Sequence, residues 1–361
     1  MDKPAKSQKQ SQPVSTGPKA PAPARPPERV PPLFRKIDWA ALLMTFAVVG
    51  VVYFLTLAPE LTLEDSGELC TGSFYAGIPH PPGYPFWAIY SWMWTKLLPI
   101  GNVAWRVEVG EAAAAAMACG LVAFLVSRGS SMLIEGIDDL KSLAAKWENA
   151  ICVVSGVVAG LLLGFGGVMW SESVAINRIS LFGVPWVMIV LLCLLRWIYA
   201  PRQWGYLFCA MFFFGICATI HQTLLVAAMG IEVAIAMAQP RLGRYAFLGN
   251  SVLFVLGLIL NKLGYITMLN TADMVLGIYF VVGFSSIAAY VWLAILTKET
   301  FKELCMDASL ASCLLLLSAV PVLGRPALLL ALAALGTFGW LAWGTRKLGL
   351  EWLVAITLAV L

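Results

Sequence analysis

Uncharged apolar stretches of about 20 residues or more recur along the chain, at 39–58, 150–171, 274–297 and 326–345. At 1.5 Å of rise per residue, a helix of about 20 residues crosses roughly 30 Å of hydrocarbon. Composition agrees: 60% of the 361 residues are hydrophobic, 12% are charged, and the mean hydropathy is +0.83. Soluble domains carry roughly 25% charged residues, so a water-soluble globular fold is excluded. The two-residue alternation of a membrane barrel is absent. The expected fold class is all-α, a polytopic helical membrane protein.

Residues 1–37 form a basic tail, with nine prolines among the first 32 positions and almost no apolar side chains. Such a segment cannot bury a core and is expected to be disordered and cytoplasmic. Residues 38–361 then form one membrane domain. Apolar length and breaks place spans at 39–58, 107–127, 150–169, 179–195, 204–220, 222–238, 245–261, 274–296, 308–324 and 327–344, about ten in all. As one helix, 203–238 would run nearly twice the bilayer core, so a break is expected at Ile220-His221-Gln222. The apolar run 352–361 is too short to span, which leads one to expect a domain incomplete at its C-terminus.

Charge sets the orientation. With the tail inside, 19 of the 24 Lys and Arg residues fall on the cytoplasmic side and five outside: Lys96, Arg106, Arg178, Lys262 and Arg325. Were segment 84–98 a further span, this bias would nearly vanish. The positive-inside rule therefore keeps 84–98 outside, and Tyr84, Phe86, Trp87, Tyr90, Trp92 and Trp94 suit a helix lying in the membrane interface. A net charge of +4 gives no reason to expect a nucleic-acid partner. The eight cysteines show no metal-ligand spacing and read as small buried apolar residues.

The first outer loop, 59–106, holds the chemistry. Glu60, Glu64, Asp65 and Glu68 stand just above the membrane, where they can supply a general base or form a solvated acidic loop. They are followed by Gly77-Ile78-Pro79-His80-Pro81-Pro82-Gly83-Tyr84-Pro85, whose prolines and glycines fix the backbone and hold His80 in place. Both histidines of the chain, His80 and His221, fall on the outer side, either by coincidence or because they face one cavity. Arg178 can fork onto phosphate oxygens, pair with Glu172 or reach headgroups. Glu108, Glu111 and Glu232 lie in or near spans, where an isolated charge is costly, so they are expected to face the bundle interior. Glu108 and Glu111 share a helical face close to Arg106 and read as its orienting partners.

The order Asp65-Ser66-Gly67-Glu68, then Gly77 to Pro85, then Trp105-Arg106 resembles the membrane O-mannosyltransferases of the transmembrane-protein-260 type and their bacterial relatives. With the later Trp170-Ser171 and His221-Gln222-Thr223, the resemblance covers about residues 39–240. It implies a GT-C type glycosyltransferase that takes a sugar from a polyprenyl-phosphate carrier and passes it to a protein or glycan hydroxyl. The site would lie on the extracytoplasmic face, of the inner membrane in a bacterium. Asp65 would be the essential acidic residue and Glu68 the second. Asn177-Arg178-Ile179 and Glu108 depart from the family pattern.

An acceptor hydroxyl must lose its proton as it attacks the anomeric carbon, which a partly desolvated carboxylate can accept. The phosphate leaving group is already an anion and needs electrostatic stabilisation, for which His80, Tyr84, Arg106, Arg178 and His221 are the expected substrate-binding residues. One base and direct displacement would invert the anomeric centre. No cofactor is predicted from the residue pattern, which leaves a divalent-metal requirement open. The alternative is a polytopic transporter or lipid flippase, which would place functional charges deep in the spans and carry internal symmetry; the chain shows no internal repeat.

Overall fold

The computed structural model describes residues 32–345 apart from positions 63, 82, 177–178, 266–272 and 299. Most of the Pro-rich tail, Arg178 and the run 352–361 lie outside the described residues. The described chain is helical throughout, with no strand among the described residues. Each of the ten expected spans corresponds to a helix: α1 (Lys36–Leu55), α4 (Val103–Gly136), α5 (Ala145–Gly164), α7 (Gly183–Tyr199), α8 (Trp204–Ile220), α9 (Ala227–Ala238), α10 (Pro240–Lys262), α11 (Asp273–Leu296), α12 (Phe301–Leu323) and α13 (Arg325–Thr345). The loop between α1 and α4 adds α2 (Ser66–Tyr75) and α3 (Pro85–Leu97), and α6 (Gly167–Val174) follows α5. The protein is a polytopic integral membrane protein.

By length and apolarity, α1, α4, α5, α10, α11 and α13 can each cross a bilayer unaided. The other four expected spans fall on α7, α8 and α9, with 17, 17 and 12 residues, and on α12, with 23. The break at Ile220-His221-Gln222 is present: α8 ends at Ile220, and a short 3-10 turn, Gln222–Val226, leads into α9.

Helices α1, α4 and α5 pack as a unit. Their contact is built on Gly156, Gly160 and Gly164, spaced four apart on the buried face of α5. Without side chains there, the backbones approach closely. A Cβ on Gly160 would lie 2.5 Å from Thr45 and 2.6 Å from the Cys119 carbonyl. The Tyr53 hydroxyl donates to the Gly164 carbonyl at 2.6 Å and ties α1 to the end of α5.

At the opposite end, polar groups hold the same three helices. Arg35 pairs with Asp38 at 3.1 Å and Glu148 at 2.8 Å, and Ser127 donates to Asp38 at 2.6 Å. Among the described residues Leu33, upstream of the expected start at 38, is already buried, 1% exposed. Arg244, placed by the sequence in a cytoplasmic loop, sits inside α10, 2% exposed, with Asp307 at 3.6 Å.

In the orientation drawn from the cation bias, the first loop after α1 faces outside and the 137–144 and 200–203 turns face inside. Cysteines placed at Glu60 and Gly101 are expected to react with an impermeant thiol reagent from outside, and cysteines at Lys141 and Arg202 only after permeabilisation. Labelling at Lys141 from outside would reverse the orientation drawn from the cation bias.

Candidate active site

Helix α2 starts at Ser66 with Asp65 at its N-cap position, and the Asp65 carboxylate makes no capping bond to the helix. Ser66 instead accepts from the Thr62 N–H at 3.1 Å, closing the turn before the helix. The preceding Glu64 has φ +58°. Glu68 lies in the first turn, where the helix dipole favours a carboxylate. The Pro/Gly segment then turns the chain back: Gly83 donates to the His80 carbonyl at 3.0 Å and has φ +90°, a conformation open to glycine. Tyr84, with φ +44°, adopts the left-handed region that costs an L residue about 1 kcal/mol or more, and Pro85 starts α3 at N1. A bulky residue held in that region marks a position where geometry is enforced by its surroundings.

These turns bring His80 onto Glu68. The His80 backbone N–H donates to one carboxylate oxygen and its Nδ1 lies 3.2 Å from the other. Its Nε2 is 3.2 Å from the Tyr84 hydroxyl. With Glu68 ionised, Nδ1–H faces the carboxylate and the Tyr84 O–H points at Nε2. The two bonds from His80 hold the Glu68 pKa below the ordinary carboxylate range, the backbone bond being the larger cause. The clamp is therefore fully present above the ordinary Glu pKa and is lost as pH falls through the lowered one. Tyr84 is shifted upward, first by burial and then by the charges of Asp65 and Glu68, so it remains a neutral phenol and hydrogen-bond donor.

His221 completes the group from a distant part of the chain. As the residue that ends α8, it stacks on Tyr84 with ring centroids 6.3 Å apart and planes 16° from parallel, and its Nδ1 lies 2.8 Å from the Thr223 hydroxyl. Tyr84 thus stands between the two histidines, meeting His80 edge-on at 5.5 Å. The pair separated by 141 positions in sequence shares one site. Asp65, Glu68 and His80 each place one ligand atom within 4.8 Å of the others, a set able to hold a divalent cation. On another face of α2, Glu60, Thr71, Phe74, Tyr75 and Asn102 line a cavity of about 470 Å³.

Arg106 is placed elsewhere. Its guanidinium donates to the carbonyls of Thr95, Ile100 and Gly101 at 3.0–3.2 Å and fastens the end of α3 to the start of α4. It is a brace on the loop, and it does not orient Glu108 or Glu111. Arg106→Lys is expected to lower stability by about 1–3 kcal/mol through loss of the fork, read as a reduced melting temperature in detergent.

Glu108 and Glu111 do face the interior, 0% and 6% exposed. Glu111 accepts from the Trp87 indole N–H and pins α3 against α4, a contact that the pattern of aromatic residues alone did not disclose. Ser73 donates to Ser91 at 2.8 Å and joins α2 to α3. Glu232 accepts from Asn250 at 2.6 Å, linking α9 to α10. Ile176 and Ile179 are buried in the apolar core beneath the site with Leu69, Trp87 and Ile220.

Comparison with known proteins agrees with the motifs. Residues 65–242 match the family model described as the protein O-mannosyl-transferase TMEM260 N-terminal domain. Protein O-mannosyl-transferase TMEM260 of Mus musculus is 30% identical over 173 residues, covering 42% of this chain and 24% of the relative. The Dictyostelium discoideum protein of the same name is 27% identical over 78 residues, 21% of this chain and 10% of the relative. The chain thus spans about a quarter of the length of the mouse relative. No solved structure matches. The matched segment contains Asp65, Glu68, His80, Tyr84 and His221, and through it the chain is similar to the TMEM260-type protein O-mannosyl-transferases.

Proposed function

We propose that this chain is the catalytic membrane part of a glycosyltransferase of GT-C type, moving mannose from a polyprenyl-phosphate carrier to a protein or glycan hydroxyl on the extracytoplasmic face. The observation that carries this reading is the convergence of Asp65, Glu68, His80, Tyr84 and His221 at one end of the bundle. The names of the mouse and Dictyostelium relatives support the sugar and the reaction class.

In this reading the two carboxylates divide the work. Both oxygens of Glu68 are engaged by His80, whereas Asp65 is exposed and caps nothing. Asp65 is then the base that takes the acceptor proton, and Glu68 sets the position of His80. Glu68 and Tyr84 hold His80 in place, and His221, whose Nδ1 accepts from the Thr223 N–H, carries its proton on Nε2 and can donate it to the departing phosphate; Arg178 is the further cation that the sequence offers. A single base with direct displacement inverts the anomeric centre.

The test incubates membranes containing the full protein with labelled polyprenyl-phosphate mannose or with labelled nucleotide-linked mannose. Label is expected to enter protein or glycan from the lipid-linked donor and not from the nucleotide donor. Incorporation from the nucleotide sugar when lipid-linked synthesis is blocked would refute the donor assignment.

A further inference from the structure

We propose that a cleft at the end of the bundle remote from Asp65 binds the phosphate headgroup of an anionic membrane lipid. Ile235 of α9 and Leu242 of α10 pack in one core with Trp197 near the end of α7 and Leu207 near the start of α8, whereas His221 lies at the other end of α8, and the end of α9, the start of α10 and the end of α11 meet at a cleft. There Ala238, Gln239, Pro240, Arg241, Leu296 and Thr297 line a cavity of about 480 Å³.

The electrostatics suit an anion. Arg241 stands exposed at the cleft. One turn deeper, Arg244 donates to the Thr297 hydroxyl at 3.1 Å, and Asp307 at 3.6 Å balances its charge. Lys298 and Lys302 follow Thr297 in sequence. Besides Asp307, Glu303 lies in electrostatic reach of Arg241 and Arg244, and one of its oxygens accepts from the Thr300 N–H and hydroxyl. The first turn of α10 holds no acidic residue. A positive balance remains at the mouth of the cleft.

The surroundings distinguish a lipid from a free phosphate. Met237 and Ile295, next in sequence to the lining residues Ala238 and Leu296, are 82% and 72% exposed, and Leu296 in the wall is 52% exposed. Acyl chains can lie along these side chains while the phosphate enters the cavity. A basic pocket between helix ends on the cation-rich side of a membrane protein meets anionic headgroups at the leaflet surface, where each cation contributes about 1 kcal/mol. This site stands apart from the sugar-transfer reading and does not depend on it.

The test places the full chain in nanodiscs of phosphatidylglycerol or phosphatidylcholine and follows retained lipid by native mass spectrometry. Phosphatidylglycerol is expected to be retained preferentially, and Arg241→Gln to weaken that retention about fivefold. Arg202→Gln, which removes a cation on the same face outside the cleft, is expected to leave it unchanged. Equal retention of the two lipids, or an unaltered Arg241→Gln protein, would overturn the proposal. So would an equal loss in Arg202→Gln, which would show diffuse surface charge. Displacement of phosphatidylglycerol by excess inorganic phosphate would reassign the cleft to a soluble anion.

Discussion

Asp65→Asn is expected to lower sugar-transfer turnover by about 10²-fold or more, within the range for losing a general base. Asparagine keeps the volume and removes only the capacity to accept a proton. Because the Asp65 carboxylate is exposed and does not cap α2, expression and melting temperature should be unchanged. Glu68→Gln should cost less in turnover. Its effect should include a raised donor KM, because it weakens the hold on the His80 backbone and ring. The check is steady-state kinetics of purified variants beside their thermal melts. Near-normal turnover in Asp65→Asn would remove it from the chemistry, and a larger loss in Glu68→Gln would transfer the role of base to Glu68.

Gly160→Val is expected to lower stability sharply. The added side chain would begin 2.5 Å from Thr45 and 2.6 Å from the Cys119 carbonyl, inside the contact of α5 with both α1 and α4. Overpacking of this kind costs about 1–3 kcal/mol, and a backbone carbonyl in the wall limits relief. Gly167→Ala serves as the control, since nothing lies within 4 Å of the position its Cβ would take. Thermal aggregation in detergent should show the Gly160→Val protein melting well below wild type and the control unchanged. Wild-type behaviour of Gly160→Val would mean that α5 packs elsewhere.

The helices were legible in the sequence because hydrophobic length is what a bilayer selects, and the break at His221 followed from the same arithmetic. The site was legible only in pieces. Asp65, Glu68 and His80 announced themselves by charge and by the Pro/Gly turns, but nothing local to His221 shows that it stacks on Tyr84, a contact between distant parts of the chain. Arg106 misled because a guanidinium serves phosphate and backbone carbonyls through the same fork, and only the fold shows which is near. Arg244 was assigned to a loop because a charge normally ends a span, whereas Asp307 from α12 compensates it in the interior. The glycine stripe of α5 was hidden in a run read simply as apolar.

The claim that segments 65–84 and 221 form one sugar-transfer site is tested most directly by photocrosslinking. A polyprenyl-phosphate mannose analogue with a photoreactive group on the sugar would be irradiated with the full protein and the adducts mapped by mass spectrometry. Adducts are expected on both the peptide containing Asp65 to Tyr84 and the peptide containing His221, and unlabelled donor should suppress both together. Specific adducts confined to other parts of the chain, with these two peptides untouched, would contradict it.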